Sequence, residues 1–155
     1  MNIIYEYGTF KKDVYELYNN ILSEDFEPDV IYGVVRGGLV PATYISHLFK
    51  KPLKTITIQH IDFTMIGNLD NLIDDISSNK KILLVEDIID SGKTISIIYE
   101  KTKPIINMFN PDNIKFASLW KNSNFNDQPF VHHINLIDRN IDKRWIIFPW
   151  EHIDE

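Results

Sequence analysis

Ile82-Leu83-Leu84-Val85 runs without a break into two acids, Glu86 and Asp87, then Ile88-Ile89, a third acid, Asp90, and the small polar turn Ser91-Gly92-Lys93-Thr94. This stretch, Lys81 to Ser96, constrains the fold more than any other. Consecutive apolar residues without polar alternation are the mark of a strand buried on both faces of a parallel sheet. In open α/β sheets ligands bind outside the carboxyl ends of the strands, so the acids stand where chemistry is expected. The turn that follows adds hydroxyls and amides at the start of a helix, which suits a phosphate. Carboxylates next to a phosphate cradle point to a ligand with both hydroxyl and phosphate groups, such as a sugar phosphate.

The rest of the chain supplies the layers such a sheet needs. From Tyr7 to Leu22, apolar Phe10, Val14, Leu17, Tyr18, Ile21 and Leu22 recur at helical spacing, with Thr9 as a candidate N-cap. Val30 to Val35 is a second continuous apolar run, ending at Arg36-Gly37-Gly38 ahead of a helix from Leu39 to Phe49. The Arg-Gly-Gly turn reads equally well as a plain strand-to-helix turn or as an anion clamp, in which glycines admit close backbone approach and Arg36 offers a fork of donors. A strand is expected from Leu53 to Ile58. Gln59 to Asn79 has weak periodicity, three Asn and four Asp, and is expected to be a long mobile cover over the site, the alternative being a strand hairpin without a catalytic part. After the strand Lys81–Val85 come a helix from Thr94 to about Lys103, stopped or kinked at Pro104, and a strand from Ile114 to Trp120. Phe130 to Ile137 reads as an edge strand and Asp138 to Arg144 as a charged loop. The order predicts a three-layer α/β domain with a mostly parallel sheet flanked by helices.

At 155 residues the chain is expected to form one domain, 1–155, burying about 70% of its unfolded surface. The absence of cysteine excludes disulfides, thiolate metal sites and a cysteine nucleophile. A net charge of -6 argues against nucleic acid as the main partner. With no secretory leader pattern and no apolar run long enough for a membrane span, the expected location is the cytoplasm.

Two common phosphate signatures fail. Gly92-Lys93-Thr94 looks like the end of a nucleotide-binding loop, but its first glycine would fall on Asp87. No G-x-G-x-x-G is present either. Val85-Glu86-Asp87-Ile88-Ile89-Asp90-Ser91-Gly92-Lys93-Thr94 instead resembles, over its full length, the phosphoribosyl pyrophosphate signature of type I phosphoribosyltransferases. Tyr32 to Ala42 resembles the pyrophosphate loop of the 6-oxopurine members, the xanthine-guanine and hypoxanthine-guanine enzymes. Trp145-Ile146-Ile147-Phe148-Pro149-Trp150-Glu151 resembles the purine-binding hood of the short microbial enzymes of that group, a hood expected from about 130–155 together with the N-terminal segment.

The resemblance implies a role for each residue. Glu86 and Asp87 bind the ribose hydroxyls, directly or through Mg²⁺, with Glu151 as a further metal carboxylate. Asp90, Ser91, Gly92, Lys93 and Thr94 take the 5-phosphate. Arg36 and Gly37 grip pyrophosphate, in some members through a non-proline cis peptide. Asp90 acts on purine N7 as general base or proton relay, and Lys121 donates to the 6-oxo oxygen. Trp145 stacks on the base, while the backbone of Ile146 meets the group at C2. The implied activity is purine salvage: phosphoribosyl pyrophosphate and guanine, xanthine or hypoxanthine give the nucleoside monophosphate and pyrophosphate. The sequence does not rank the three bases. A pyrimidine enzyme and a non-catalytic phosphoribosyl-pyrophosphate sensor are the alternatives, and the resemblance implies a homodimer or homotetramer. One departure stands out. Where many relatives have Ser-Tyr in the flexible loop, this chain reads Thr57-Ile58-Gln59-His60-Ile61-Asp62, leaving Gln59 or His60 as candidates for closing the site.

Overall fold

The computed structural model describes residues 1–61, 64–126 and 128–151, with backbone alone at 59–61 and 64–66. Eight strands and four α-helices follow in the order β1 (Ile3–Ile4), α1 (Tyr7–Leu22), β2 (Val30–Val35), α2 (Leu39–Phe49), β3 (Leu53–Ile61), β4 (Thr64–Gly67), α3 (Asp70–Ser77), β5 (Ile82–Ile89), α4 (Lys93–Ile106), β6 (Ile114–Asn122), β7 (Val131–Ile137) and β8 (Ile146–Ile147). Six strands form the main sheet in the order β4-β3-β2-β5-β6-β7. Every neighbouring pair is parallel except β3 with β4.

The uninterrupted apolar runs follow from burial on both faces. Leu83 and Val85 of β5 face the layer of α1 and α2, where Phe10, Leu17, Ile21, Ala42 and Ile45 are buried. Ile82 and Leu84 face the opposite layer, with Leu72 and Ile76 of α3 and Ile95, Ile98 and Ile106 of α4. The sheet is wound both ways from its centre: β2 passes through α2 to β3 on one side, and β5 passes through α4 to β6 on the other. Between β2 and β5 lies the topological switch point, where connections diverge and leave a crevice at the strands' carboxyl ends.

Several expectations need correcting. Thr9 is not the N-cap of α1; Glu6 holds that position, without a side-chain bond. The segment 59–79 is more regular than its weak periodicity suggested and matches the hairpin alternative in its described residues: β3 runs on to Ile61, β4 pairs with it antiparallel from Ile58↔Gly67, and α3 follows. That helix is fixed by buried Leu72 and Ile76 and by Asp75, whose carboxylate takes Tyr32 Oη, Lys54 Nζ and Lys80 Nζ. The side chains of Gln59 and His60, and all of Asp62, lie outside the described residues. Strand β5 does not end at Val85 but continues through both acids, because the ladder to β6 persists at Glu86↔Ser118 and Ile88↔Trp120. Helix α4 passes through Pro104 to Ile106, with the proline in its last turn.

A second small sheet, whose strands the sequence reading did not name, joins the N-terminal segment to the C-terminal stretch expected as a hood. The two-residue strand β1 pairs in parallel with β8, Ile3 on Ile146 and Ile4 on Ile147. It roofs an aromatic cluster in which Tyr5 meets Trp120 and Phe148 edge-on, and Trp150 stacks on Phe148 at 5.0 Å. No helix among the described residues is long and apolar enough to cross a membrane.

Candidate active site

The crevice at the switch point is built from the ends of β2 and β5. Glu86 and Asp87 are half-buried there, and neither has a basic partner among the described residues. Burial, then repulsion from Asp87, holds Glu86 well above the ordinary carboxylate range. Burial first, relieved in part by the Ile88 N–H and reinforced by repulsion from Glu151, pushes Asp87 up to about 6. Two adjoining carboxylates in this condition favour whatever brings protons or positive charge to them: a diol, a cation, or both.

Across the crevice, Gly37 lies directly against Asp87. A Cβ at Gly37 would collide with the Asp87 carboxylate, so the close backbone approach expected of this glycine is needed. The Val35–Arg36 peptide is cis and the Arg36 side chain is exposed. The Gly38 amide donates to Val34 O at 2.9 Å and the Leu39 amide to Arg36 O at 3.1 Å. The Gly37 amide has no partner among the described residues.

Below the acids, Asp90 to Thr94 wrap a cavity of about 140 Å³, walled also by Glu86, Ile88 and Ile95. Gly92 has φ 79° and caps α4. A Cβ there would strike the Phe125 ring, so both backbone conformation and space demand glycine. The first intrahelical bond of α4 runs from Ser96 N to Gly92 O at 2.9 Å, which leaves the preceding amides of Thr94 and Ile95 without helical partners. They end at the cavity, where an anion can take them.

On the β6 side, register sets Lys121 opposite Ile89, one residue before Asp90. Its ammonium lies 5.9 Å from the Phe125 ring centroid. Trp145 is 62% exposed, whereas Trp120 and Trp150 are packed in the aromatic cluster. The β1 ladder uses the carbonyls of Trp145 and Ile147, so by strand alternation the peptide groups of Ile146 turn to the other side. The Ile146 side chain itself is buried. Glu151 bonds the Phe148 amide at 2.9 Å, closing its own turn, while still repelling Asp87. Among the described residues no three acids or histidines converge into a preformed metal cage. His132 is far from this crevice in the fold, beside Glu24 at 3.5 Å, and lines a separate cavity of about 310 Å³ with Tyr99, Phe116 and Phe130.

One residue in the crevice went unnoticed in the sequence. Arg139 grips Asp90 through one edge of its guanidinium, Nε to Oδ1 at 3.1 Å and Nη2 to Oδ2 at 3.0 Å. The only hint was its place in the charged run 138–144, which names no partner.

Comparison with known proteins agrees with this geometry. The family model for the phosphoribosyl transferase domain matches residues 2–152. A purine phosphoribosyltransferase from Pyrococcus horikoshii superposes with a TM-score of 0.74 at 24% identity, covering 99% of this chain and 96% of that one. The xanthine-guanine-hypoxanthine phosphoribosyltransferase of Helicobacter pylori gives 0.72 at 24% identity, with 97% and 94% covered. An adenine enzyme, APRTase from Giardia lamblia complexed with 9-deazaadenine, gives 0.64 at 9% identity over 84% and 81%. No curated protein sequence is significantly similar. The structural likenesses carry the fold; with the family match along nearly the whole chain, they show that the chain belongs to the phosphoribosyl transferase domain family and is a phosphoribosyltransferase.

Proposed function

We propose that this phosphoribosyltransferase serves purine salvage, moving the 5-phosphoribosyl group from phosphoribosyl pyrophosphate to a 6-oxopurine: guanine, xanthine or hypoxanthine. The observation that supports this acceptor is the register Ile89↔Lys121, one residue from Asp90; in this reading Lys121 is the donor to the base and Asp90 the acceptor. A 6-oxopurine presents a carbonyl acceptor next to its imidazole nitrogen and matches that pair. A 6-aminopurine would set two donors face to face, at the cost of an unpaired group.

In the reaction the bond from ribose C1 to pyrophosphate oxygen breaks, a bond from C1 to a purine nitrogen forms, and the purine gives up a proton. The amides of the α4 start and the hydroxyls of Ser91 and Thr94 hold the 5-phosphate, with Lys93 beside them. Glu86 and Asp87 accept from the ribose hydroxyls, and Gly37 N–H with Arg36 takes the pyrophosphate. Holding donor and acceptor in line lowers the entropic part of the barrier. Asp90 takes or relays the purine proton, Lys121 fixes the oxo group, Trp145 stacks on the ring and the Ile146 backbone faces C2. Mg²⁺ fits the unpartnered Glu86–Asp87 pair, since it binds through one or two carboxylates plus substrate oxygens, with Glu151 as a third carboxylate nearby. When bound, it supplies charge neutralisation to the leaving pyrophosphate.

The test is turnover with phosphoribosyl pyrophosphate, Mg²⁺ and each of guanine, xanthine, hypoxanthine, adenine, uracil and orotate. Nucleotide should form with one or more 6-oxopurines. Turnover confined to adenine or a pyrimidine refutes the acceptor assignment.

A further inference from the structure

Among the described carboxylates, Asp13 and Asp75 are buried and satisfied within the packing: Asp13 takes Tyr5 Oη and Asn135 Nδ2, and Asp75 takes one tyrosine and two lysines. Asp90 differs, because its partner Arg139 reaches into the ligand crevice from 49 positions away. The Arg139 side chain is 16% exposed. Its remaining nitrogen, Nη1, donates to Arg144 O and Asp142 O. Its backbone amide donates to Asn122 Oδ1 at 3.4 Å, and Asn122 Nδ2 donates to Asp90 O at 3.2 Å.

The three ends of this network are the three places the acceptor needs. One is Asp90 itself. Asn122 adjoins Lys121, and Arg144 adjoins Trp145. We infer that Arg139 is the positioning residue of the acceptor site, joining the Asp90 carboxylate, the end of β6 and the backbone before Trp145 into one rigid frame. Two features favour this over a simple surface ion pair. The guanidinium is planar and always charged, so two edges can be held at once in fixed geometry, which an ammonium cannot do. A carboxylate has about four acceptor positions; the fork occupies two, so Asp90 is oriented without being used up and can still accept from a base.

This inference rests on the acceptor reading above for the identity of the base, but not for its test. The experiment compares wild type, Arg139→Gln and Arg139→Lys with whichever base the wild type turns over, measuring kcat, KM for the base, the Kd of phosphoribosyl pyrophosphate by calorimetry, and thermal melting. Loss of a charged two-bond contact should raise KM for the base and lower kcat, together reducing kcat/KM by about ten- to a hundredfold. The donor Kd should stay within about twofold, since among the described residues Arg139 meets the donor loop at the Asp90 carboxylate and not at the amides and hydroxyls of Ser91 to Thr94. Arg139→Lys should recover less than half of the loss on a logarithmic scale. Three results overturn the inference: kcat/KM unchanged in Arg139→Gln, full rescue by lysine, or a donor Kd weakened in parallel with the base. A wild type that uses only a pyrimidine would refute the purine reading and leave these Arg139 outcomes measurable on that base.

Discussion

Asp87→Asn should make the metal-free protein more stable at neutral pH while abolishing its stabilisation by Mg²⁺. In the folded chain Asp87 is pushed up to about 6 from an ordinary 3.8, so folding at pH 7 forces charge into a place that resists it. At about 1.4 kcal/mol per pH unit this difference is worth ~3 kcal/mol, and solvent at a half-buried group reduces it to roughly 1–2 kcal/mol. The sign follows from proton counts. Below the unfolded value both states are protonated and the penalty is absent; between about 4 and 6 the folded state binds more protons, so stability falls as pH rises; above about 6 the penalty is constant. Asparagine keeps the acceptor for the Ile88 amide, bonded at 2.7 Å, and removes the charge that repels Glu86. For a chain of this size the gain is roughly 3–8 °C in Tm at pH 7.5, fading below about pH 4. Thermal melts with a chelator, then with Mg²⁺, across pH 4 to 8 measure it. A variant that melts no higher than wild type at pH 7.5, or that gains as much from Mg²⁺, refutes the view that these acids are held uncompensated for a ligand.

Asp90→Asn should lower kcat at least tenfold while the donor Kd changes little, checked by steady-state kinetics beside calorimetry. Trp145→Ala, at an exposed indole, should leave Tm nearly unchanged and raise KM for the base by about tenfold, the loss of ~1–2 kcal/mol of stacking. Gly92→Ala should destabilise by about 1–3 kcal/mol, through the left-handed backbone and the Phe125 ring, and should weaken donor binding, as read by denaturant melts and calorimetry.

Elements whose apolar pattern matches their burial were readable from residues alone. The limits expected for α1, β2 and α2 are those observed, because each is long and one periodicity dominates. Strand β5 was expected to end four residues early because acids look like a stop signal; backbone pairing to β6 does not require apolar side chains, and the acids are carried on the ladder's last turns. Helix α3 was hidden by its length of eight residues and its five polar positions around Leu72, Ile73 and Ile76. Strand β1 is too short to carry any period. At the site, the contiguous motif Glu86 to Thr94 declares itself, since one turn brings its parts together. Arg139 could not, because an ion pair across 49 positions leaves no spacing rule to read. Gly37 was legible as a turn, but the reason for it, the Asp87 carboxylate at its Cα, appears only in three dimensions.

The pairing of Ile3–Ile4 with Ile146–Ile147 sets an order of assembly. Closing so large a loop carries an entropy cost; the packing of α1 on β6 and β7 repays part of it, and at the seam itself two ladder positions and the aromatic cluster beneath them repay the rest. The crevice proposed for the sugar phosphate is lined by segments from β2 to α4, whereas the seam joins residues 3–4 to 146–147. Its opening is therefore a local event, cheaper than global unfolding. Under mild denaturant the molecule should lose its grip on the base while the donor cradle is still folded, and recover the two in the reverse order.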